Sequence, residues 1–208
     1  QVTFMRFVMQ IILLTPFIVW SRLWTIPNGT FGMQFARGVL LAIATVCFFA
    51  ALQHLPLAEA ITIYFVQPLM LTAISALFLG ERLRLRRITA IAIGLVGVII
   101  ILQPSLIMFG WPAVLPLITA IAMACYVALT RRLAGQVHPY QMQMMVGFSA
   151  TATLGFTLLV GPIFEIPWTS FVWPTSQQLT WVAYMGLAAT IGHIFIVWAT
   201  SNAPASIL

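Results

Sequence analysis

Lysine and aspartate are absent from this chain of 208 residues, and only three acidic residues, Glu59, Glu81 and Glu165, stand against nine arginines. Without aspartate, many metal and phosphate chemistries lose a customary oxygen ligand. Charged residues make up 6% of the chain, against about 25% in an ordinary soluble domain. So few charges cannot cover a water-facing surface, which leaves lipid as the main solvent. The two cysteines, Cys47 and Cys125, fall inside apolar runs. They read as small buried side chains rather than a disulfide or a metal pair. No glycine-rich loop ends in Gly-Lys-Ser/Thr, no His-Glu-x-x-His occurs, and no Gly-x-Ser-x-Gly elbow is found. An ATP motor, a zinc hydrolase and a serine hydrolase therefore lack their motifs. A small-residue cleavage site does not follow the first apolar stretch, so it is not a signal peptide. The chain opens on Gln1, not Met, and is read as incomplete at its start.

What is abundant is apolar: 62% of the residues are hydrophobic, and the mean hydropathy is +1.07. Seven membrane spans are expected, over 2–20, 35–53, 60–79, 88–102, 111–130, 141–160 and 179–200. Most approach the ~20 residues that cross about 30 Å of hydrocarbon. The fourth is short and calls for local thinning or for residues borrowed from its arginine-rich start. The runs are continuously apolar instead of alternating, which argues against a β-barrel. An all-α, polytopic helix bundle follows, because helices satisfy their backbone hydrogen bonds internally.

The arginines orient the bundle. Arg22 and Arg37 flank the first connection, Arg82, Arg84, Arg86 and Arg87 fill the third, and Arg131 and Arg132 start the fifth. The connections around 55–58, 104–110 and 161–178 have none, which is the positive-inside pattern. The arginine-bearing connections are read as cytoplasmic, with 161–178 external and its Trp168, Phe171 and Trp173 at the interface. A net charge of +6 suggests nucleic acid in a soluble chain. Here it is split among short loops beside anionic headgroups, so the expected partner is the lipid bilayer and not nucleic acid.

A weak internal repeat links residues 49–58 with 197–206, where Ala51 aligns with Ala199 and Pro56 with Pro204. The two stretches close spans five apart, so the copies have opposite orientation. Inverted repeats of this kind are typical of secondary transporters.

One ordered set of residues carries a resemblance. It runs Ala51-Leu52, Pro56-Leu57-Ala58-Glu59-Ala60, Gln67-Pro68, Leu79-Gly80-Glu81-Arg82-Leu83 and Gly94-Leu95-Val96-Gly97-Val98. This set resembles the EamA-type transporters of the drug/metabolite transporter superfamily. The resemblance implies ten helices in two five-helix copies with inverted-repeat architecture. On that pattern the first helix and the last two are lacking here. Residues 1–103 correspond to the first copy (helices 2–5) and 111–208 to a C-terminally truncated second copy. It further implies alternating access, a small-molecule substrate such as an amino acid or related compound, often exported, and a place in a bacterial inner membrane. Some members import vitamins or nucleoside-like compounds. No cofactor and no metal are implied.

Several residues are candidates for substrate binding or coupling, each with a structural alternative. Arg6 is the outlying arginine, and Gln10 lies one turn along the same face. Arg6 faces the bundle or snorkels outward, and is either an interface or packing residue or part of an external vestibule. Glu59 opens the third span and either carries a coupling proton, pairs with a cationic substrate, or is an N-terminal helix charge favoured by the macrodipole. Tyr64, Gln67 and Pro68 lie near the middle of that span, where Pro68 frees the Tyr64 carbonyl. Tyr64 and Gln67 share a face for solute contacts or for interhelical hydrogen bonds. Gly186, Thr190 and His193 share a face of the last span, and an imidazole switches protonation near neutral pH. Trp198 and Tyr126 are aromatic candidates for stacking. Glu81 reads as a salt-bridge partner of its arginine neighbours. Ala90, Gly94 and Gly97 read as a close-packing stripe.

A secondary transporter, with proton coupling through one of these groups, is the expected function. An integral-membrane enzyme requires clustered catalytic residues, and the glutamates and histidines are scattered. A structural or channel subunit is the third reading. The orientation makes a direct prediction. Single cysteines placed in the 80–87 and 131–140 connections should resist an impermeant thiol reagent added outside intact cells. External labelling at both loops overturns the assigned orientation.

Overall fold

The computed structural model describes residues 1–23, 25–79, 85–164 and 172–202. Helices dominate, and no strand occurs among the described residues. They are α1 (Val2–Trp20), α2 (Phe31–Ala51), α3 (Leu57–Tyr64), α4 (Gln67–Leu79), α5 (Leu85–Phe109), α6 (Leu115–Leu133), α7 (Pro139–Val160) and α8 (Ser176–Asn202). Short 3-10 turns precede α6 and follow α7. Seven segments are long and apolar enough to cross a membrane, with α3 and α4 together supplying one. The chain is a multi-pass membrane protein.

Local chemistry sets the helix ends. Helix α1 closes on a Schellman turn, in which Leu23 N donates to Ile18 O and Arg22 N to Val19 O. Its left-handed position is Arg22, at φ 53°, where glycine is usual. Helix α7 opens on a capping box: Tyr140 N donates to His138 Nδ1, and His138 N donates to Gln141 Oε1. Pro139 follows at the first helical position, where its missing N–H costs nothing.

Three sequence expectations are corrected. The fourth span is not short, since α5 runs 25 residues and passes through Pro104. The stretch 104–109, read as a connection, is helical. Its apolar side chains keep it in lipid, where leaving the helix strands backbone groups. Arg37, read as flanking the first connection, lies six residues inside α2 and is 0% exposed. Arg131 and Arg132 form the last turn of α6, where their charge complements the helix dipole. Residues 80–84 and 165–171, with Glu81, Arg82, Arg84, Glu165, Trp168 and Phe171, lie outside the described residues, as does Pro204 of the internal repeat.

The chain divides into two compact units, residues 1–42 with 133–208, and residues 43–132. In the first unit α1 packs on α7 and α8, and α7 on α8. Phe17 stacks on Tyr140, Gly147 lies against Ile11, and Gly155 against Phe4. Helices α1 and α7 are therefore antiparallel. Gly186 sits on Met9 and Ile194 packs with Leu14 and Ile18, so α8 runs parallel to α1. Leu133, Val137, Met142 and Val197 form a second apolar cluster with Met33 against it.

In the second unit Leu55, Ile63 and Ala113 are buried with Ile101, Leu102, Phe109 and Leu117 around them. Thr119 Oγ1 donates to Ala44 O at 3.2 Å, and Arg131 Nη1 donates to Ser75 Oγ at 3.3 Å. Gly94 packs against Leu69, whereas nothing among the described residues comes within 4 Å of a Cβ at Gly97. Only part of the expected glycine stripe on α5 is a packing contact. Ile93, Ile100 and Ile107 are exposed, Ile107 by 78%, as lipid-facing side chains are.

Gly38 is a point of close approach. A Cβ there overlaps the Ser149 side chain and comes within 2.9 Å of the Val146 carbonyl oxygen. Gly38→Val should therefore lower the stability of the folded protein by about 1–3 kcal/mol through overpacking. Gly97→Ala meets open space and should leave the thermal midpoint unchanged or raised. Equal midpoints for both variants in detergent unfolding refute the α2–α7 contact.

Candidate functional site

Polar side chains converge inside the first unit, at a level set by small residues. Gly38 meets Ser149 and Val146 on α7. On the same turn of α7, Gly147 meets Ile11 and Gln10 on α1. The neighbour of Gly38, Arg37, therefore stands near the level of Gln10, one helical turn from Arg6. Gln10 Nε2 donates to Gln143 O at 2.8 Å, and Arg37 Nη1 donates to the adjacent Met142 O at 3.3 Å. Arg6, Gln10, Gln34, Arg37, Gln143 and Thr190 are all buried, Arg6 at 5% exposure. The Arg6 guanidinium carbon lies 4.1 Å from the centroid of the Phe7 ring, a cation–π distance. From α8, Thr190 Oγ1 donates to Gly186 O at 2.7 Å.

Arg6 lies four residues, about 6 Å, inside α1, and Arg37 six residues, about 9 Å, inside α2. Both face protein and not lipid, which is where a membrane charge is tolerable. The alternative that Arg6 reaches outward to the interface is not what the structure places. The Gln34 amide donates through Nε2 to Thr30 Oγ1 at 2.9 Å. Its buried Oε1 has no partner among the described residues.

The remaining candidates belong to the second unit. Glu59 is in the first turn of α3, where a negative charge suits the helix dipole. The Ser105 hydroxyl is within bonding reach of Glu59 Oε1 and of Ile101 O. Its single proton serves one acceptor at a time. Tyr64 ends α3 and meets Phe48 edge-on at 6.1 Å. Gln67 and Pro68 open α4, with Phe65 and Val66 between the two helices. The interrupted span is thus real. Phe65 N reaches Ile61 O, Val66 N turns to Ile63 O, and Pro68 has no N–H to give to Tyr64 O.

Trp198 is 60% exposed on α8, whereas Tyr126 is 0% exposed on α6. The sequence reading missed Arg37, Gln34, Gln143 and Ser149. Arg37 had been assigned to topology, and the glutamines carry no motif. The available signal was an amide or guanidinium well inside an apolar run, which lipid penalises unless protein surrounds it.

Comparison with known proteins follows this geometry. The model of the EamA-like transporter family matches residues 1–103. Over 178 residues the chain is 30% identical to the pseudopaline exporter of Pseudomonas aeruginosa, covering 85% of this chain and 60% of that protein. It is 29% identical over 170 residues to a riboflavin transporter of Rhizobium johnstonii, covering 82% and 54%. It is 23% identical over 208 residues to an S-adenosylmethionine uptake transporter of Rickettsia conorii, covering 99% and 67%. The chain spans about three fifths of the length of the first of these curated relatives. No solved structure matches it. The matched family and relatives are named as transporters and not as enzymes.

The break between α3 and α4 yields a test. Pro68→Ala supplies the N–H that the Tyr64 carbonyl lacks, a bond worth about 1 kcal/mol. The variant should remain folded with an equal or higher thermal midpoint. A large loss of folded protein shows that Pro68 is required for packing, not only for the interruption.

Proposed function

We propose that this chain, which belongs to the EamA-like transporter family, works as a secondary transporter of a small metabolite by alternating access. The solute is an amino acid or a related compound, and the direction is export across a bacterial cell membrane. The observation that carries the reading is the buried polar cluster contributed by α1, α2, α7 and α8 within an apolar bundle. Guanidinium and amide groups on several helices are costly in lipid. They are also what orients a polar solute. The interrupted α3–α4 span supports the same reading, because unwound backbone at membrane depth is tolerated beside protein or a water-filled cavity.

Glu59 carries the coupling proton: its carboxylate takes the Ser105 hydroxyl as donor when ionised, and donates when protonated. In the first unit His193 offers a solute contact and Trp198 a stacking surface, and in the second Tyr64, Gln67 and Pro68 offer contacts at the interrupted span. The export direction draws on the pseudopaline exporter, and the relative named for uptake makes direction a matter for measurement. A channel or membrane enzyme has no specific observation in its favour.

Flux into proteoliposomes of the full-length protein tests the proposal. Gln67→Ala and His193→Ala should cut transport about tenfold or more, a barrier change of about 1.4 kcal/mol. Folded yield should fall little, because a buried polar contact in a bundle is worth only about 0.6–2 kcal/mol. Glu59→Gln should abolish proton-driven accumulation yet retain solute exchange, since an amide still accepts from Ser105. Wild-type rates in all three variants remove these residues from the mechanism. Ohmic conductance in place of saturable flux overturns the carrier reading.

A further inference from the structure

A helix interrupted at membrane depth leaves backbone groups to be accounted for one by one. Between α3 and α4 the donors are nearly all used. Phe65 N reaches Ile61 O, Val66 N turns to Ile63 O, and Leu69 N and Met70 N share Val66 O. Pro68 has no N–H, and Gln67 N is the only donor of 65–70 outside this set. The acceptors are in surplus. A continuous helix gives Thr62 O the N–H of Val66, Tyr64 O that of residue 68, and Phe65 O that of Leu69. All three carbonyls are released from the ladder. The break is therefore rich in carbonyl oxygen and poor in N–H. It suits a hydrogen-bond donor or a cation, and not an anion.

Aromatic rings stand at the same place. Tyr64 carries one of the released carbonyls, and its ring meets Phe48 of α2 edge-on, with centroids 6.1 Å apart and planes at 67°. An edge-on contact covers one ring face of the pair and leaves the others for a further partner. Both side chains are half-buried, and ring faces attract cations. These residues all belong to the second unit. The one acid among its described residues, Glu59, opens the other end of α3. It stands about 7.5 Å along the axis from Tyr64 and is engaged by Ser105. A primary ammonium group answers both features, with N–H donors for the carbonyls and positive charge for the ring faces.

We propose that the α3–α4 break holds the ammonium group of the transported solute, with the Tyr64 carbonyl as acceptor and the Phe48 and Tyr64 rings as walls. The site rests on the transport reading only for the statement that its ligand is a passenger. The solute class is thereby narrowed to primary amines and to amino acids with a free amino group.

The test uses the full-length protein in phosphatidylcholine nanodiscs, with empty nanodiscs as the blank. Thermal midpoints and equilibrium dialysis are followed with butylammonium chloride and L-leucine. Butyltrimethylammonium chloride keeps the charge without N–H, and N-acetyl-L-leucine removes the ammonium. Butylammonium and leucine should bind and stabilise. Butyltrimethylammonium should bind about tenfold more weakly than butylammonium, and N-acetyl-leucine should give no response. Pro68→Ala places an N–H on the Tyr64 carbonyl and should weaken butylammonium binding about tenfold. Pro16→Ala makes the same change in α1 and should leave binding as it was. Phe48→Leu keeps apolar bulk without a ring face. It should weaken both cations about threefold or more, and it decides the matter where Pro68→Ala does not fold.

Absence of a wild-type response to both butylammonium and leucine overturns the proposal. So does equal binding of butyltrimethylammonium and butylammonium, or unweakened butylammonium binding in folded Pro68→Ala or in Phe48→Leu. Binding lost in Glu59→Gln but kept in Pro68→Ala makes the carboxylate the partner, and overturns it too. Flux of radiolabelled leucine into proteoliposomes separates the two readings. Pro68-dependent leucine binding without leucine flux sinks transport and leaves the site standing. Leucine flux that survives both Pro68→Ala and Phe48→Leu does the reverse.

Discussion

A hydrogen-bonding group in hydrocarbon has no solvent to fall back on, and an unsatisfied one costs several kcal/mol. That constraint explains why the described residues are so largely helical, and it also sorts their side chains. Hydroxyls solve the problem locally by donating to a carbonyl one turn back. Thr15, Thr62, Thr72, Thr130, Thr153, Thr157, Thr180 and Thr190 all do so. They leave little polarity for a solute to meet. Guanidinium, carboxamide, imidazole and carboxylate groups carry more donors and acceptors than their own turn can satisfy, as the unpartnered Gln34 Oε1 beside its bond to Thr30 shows. They must meet another helix, and where they gather is where a polar passenger can be held.

The same constraint gives three prolines different consequences. Pro16 and Pro104 are carried inside continuous helices, and each has a hydroxyl neighbour. Thr15 donates to Ile11 O and Ser105 to Ile101 O, reinforcing the ladder beside the missing bond. Gln67 and Leu69 flank Pro68 and offer no hydroxyl, and the span divides just before it into α3 and α4. Neighbouring chemistry, and not proline alone, separates a tolerated kink from a break.

Small residues then decide which helices touch. Gly38, Gly147 and Gly186 let α2, α7, α8 and α1 approach closely, as membrane packing requires in the absence of a hydrophobic drive between helices. This close approach brings Gln10 and Arg37 onto adjacent carbonyls of α7. The glycines are thus part of the site without touching a solute. Glu59 and Ser105 make the corresponding contact in the second unit, between α3 and α5.

The sequence by itself determined the solvent, the helical class, the seven crossings and the family. Each depends on composition or on short ordered motifs, which lipid and backbone chemistry read locally. It also marked Pro68 as an interruption and Arg6 as a charge out of place. It misplaced Arg37, because an arginine near a span end has the same local signature whether it faces water or protein. It also cut the fourth span short at Pro104, since proline reads as a stop unless the surroundings are known. Only the tertiary structure decided that Arg37, Gln34 and Gln143 are buried with Arg6, and that Ser105 meets Glu59. Those contacts join residues far apart in the chain. They arise from which helix faces meet, a choice made by packing across the bundle and not within any one span.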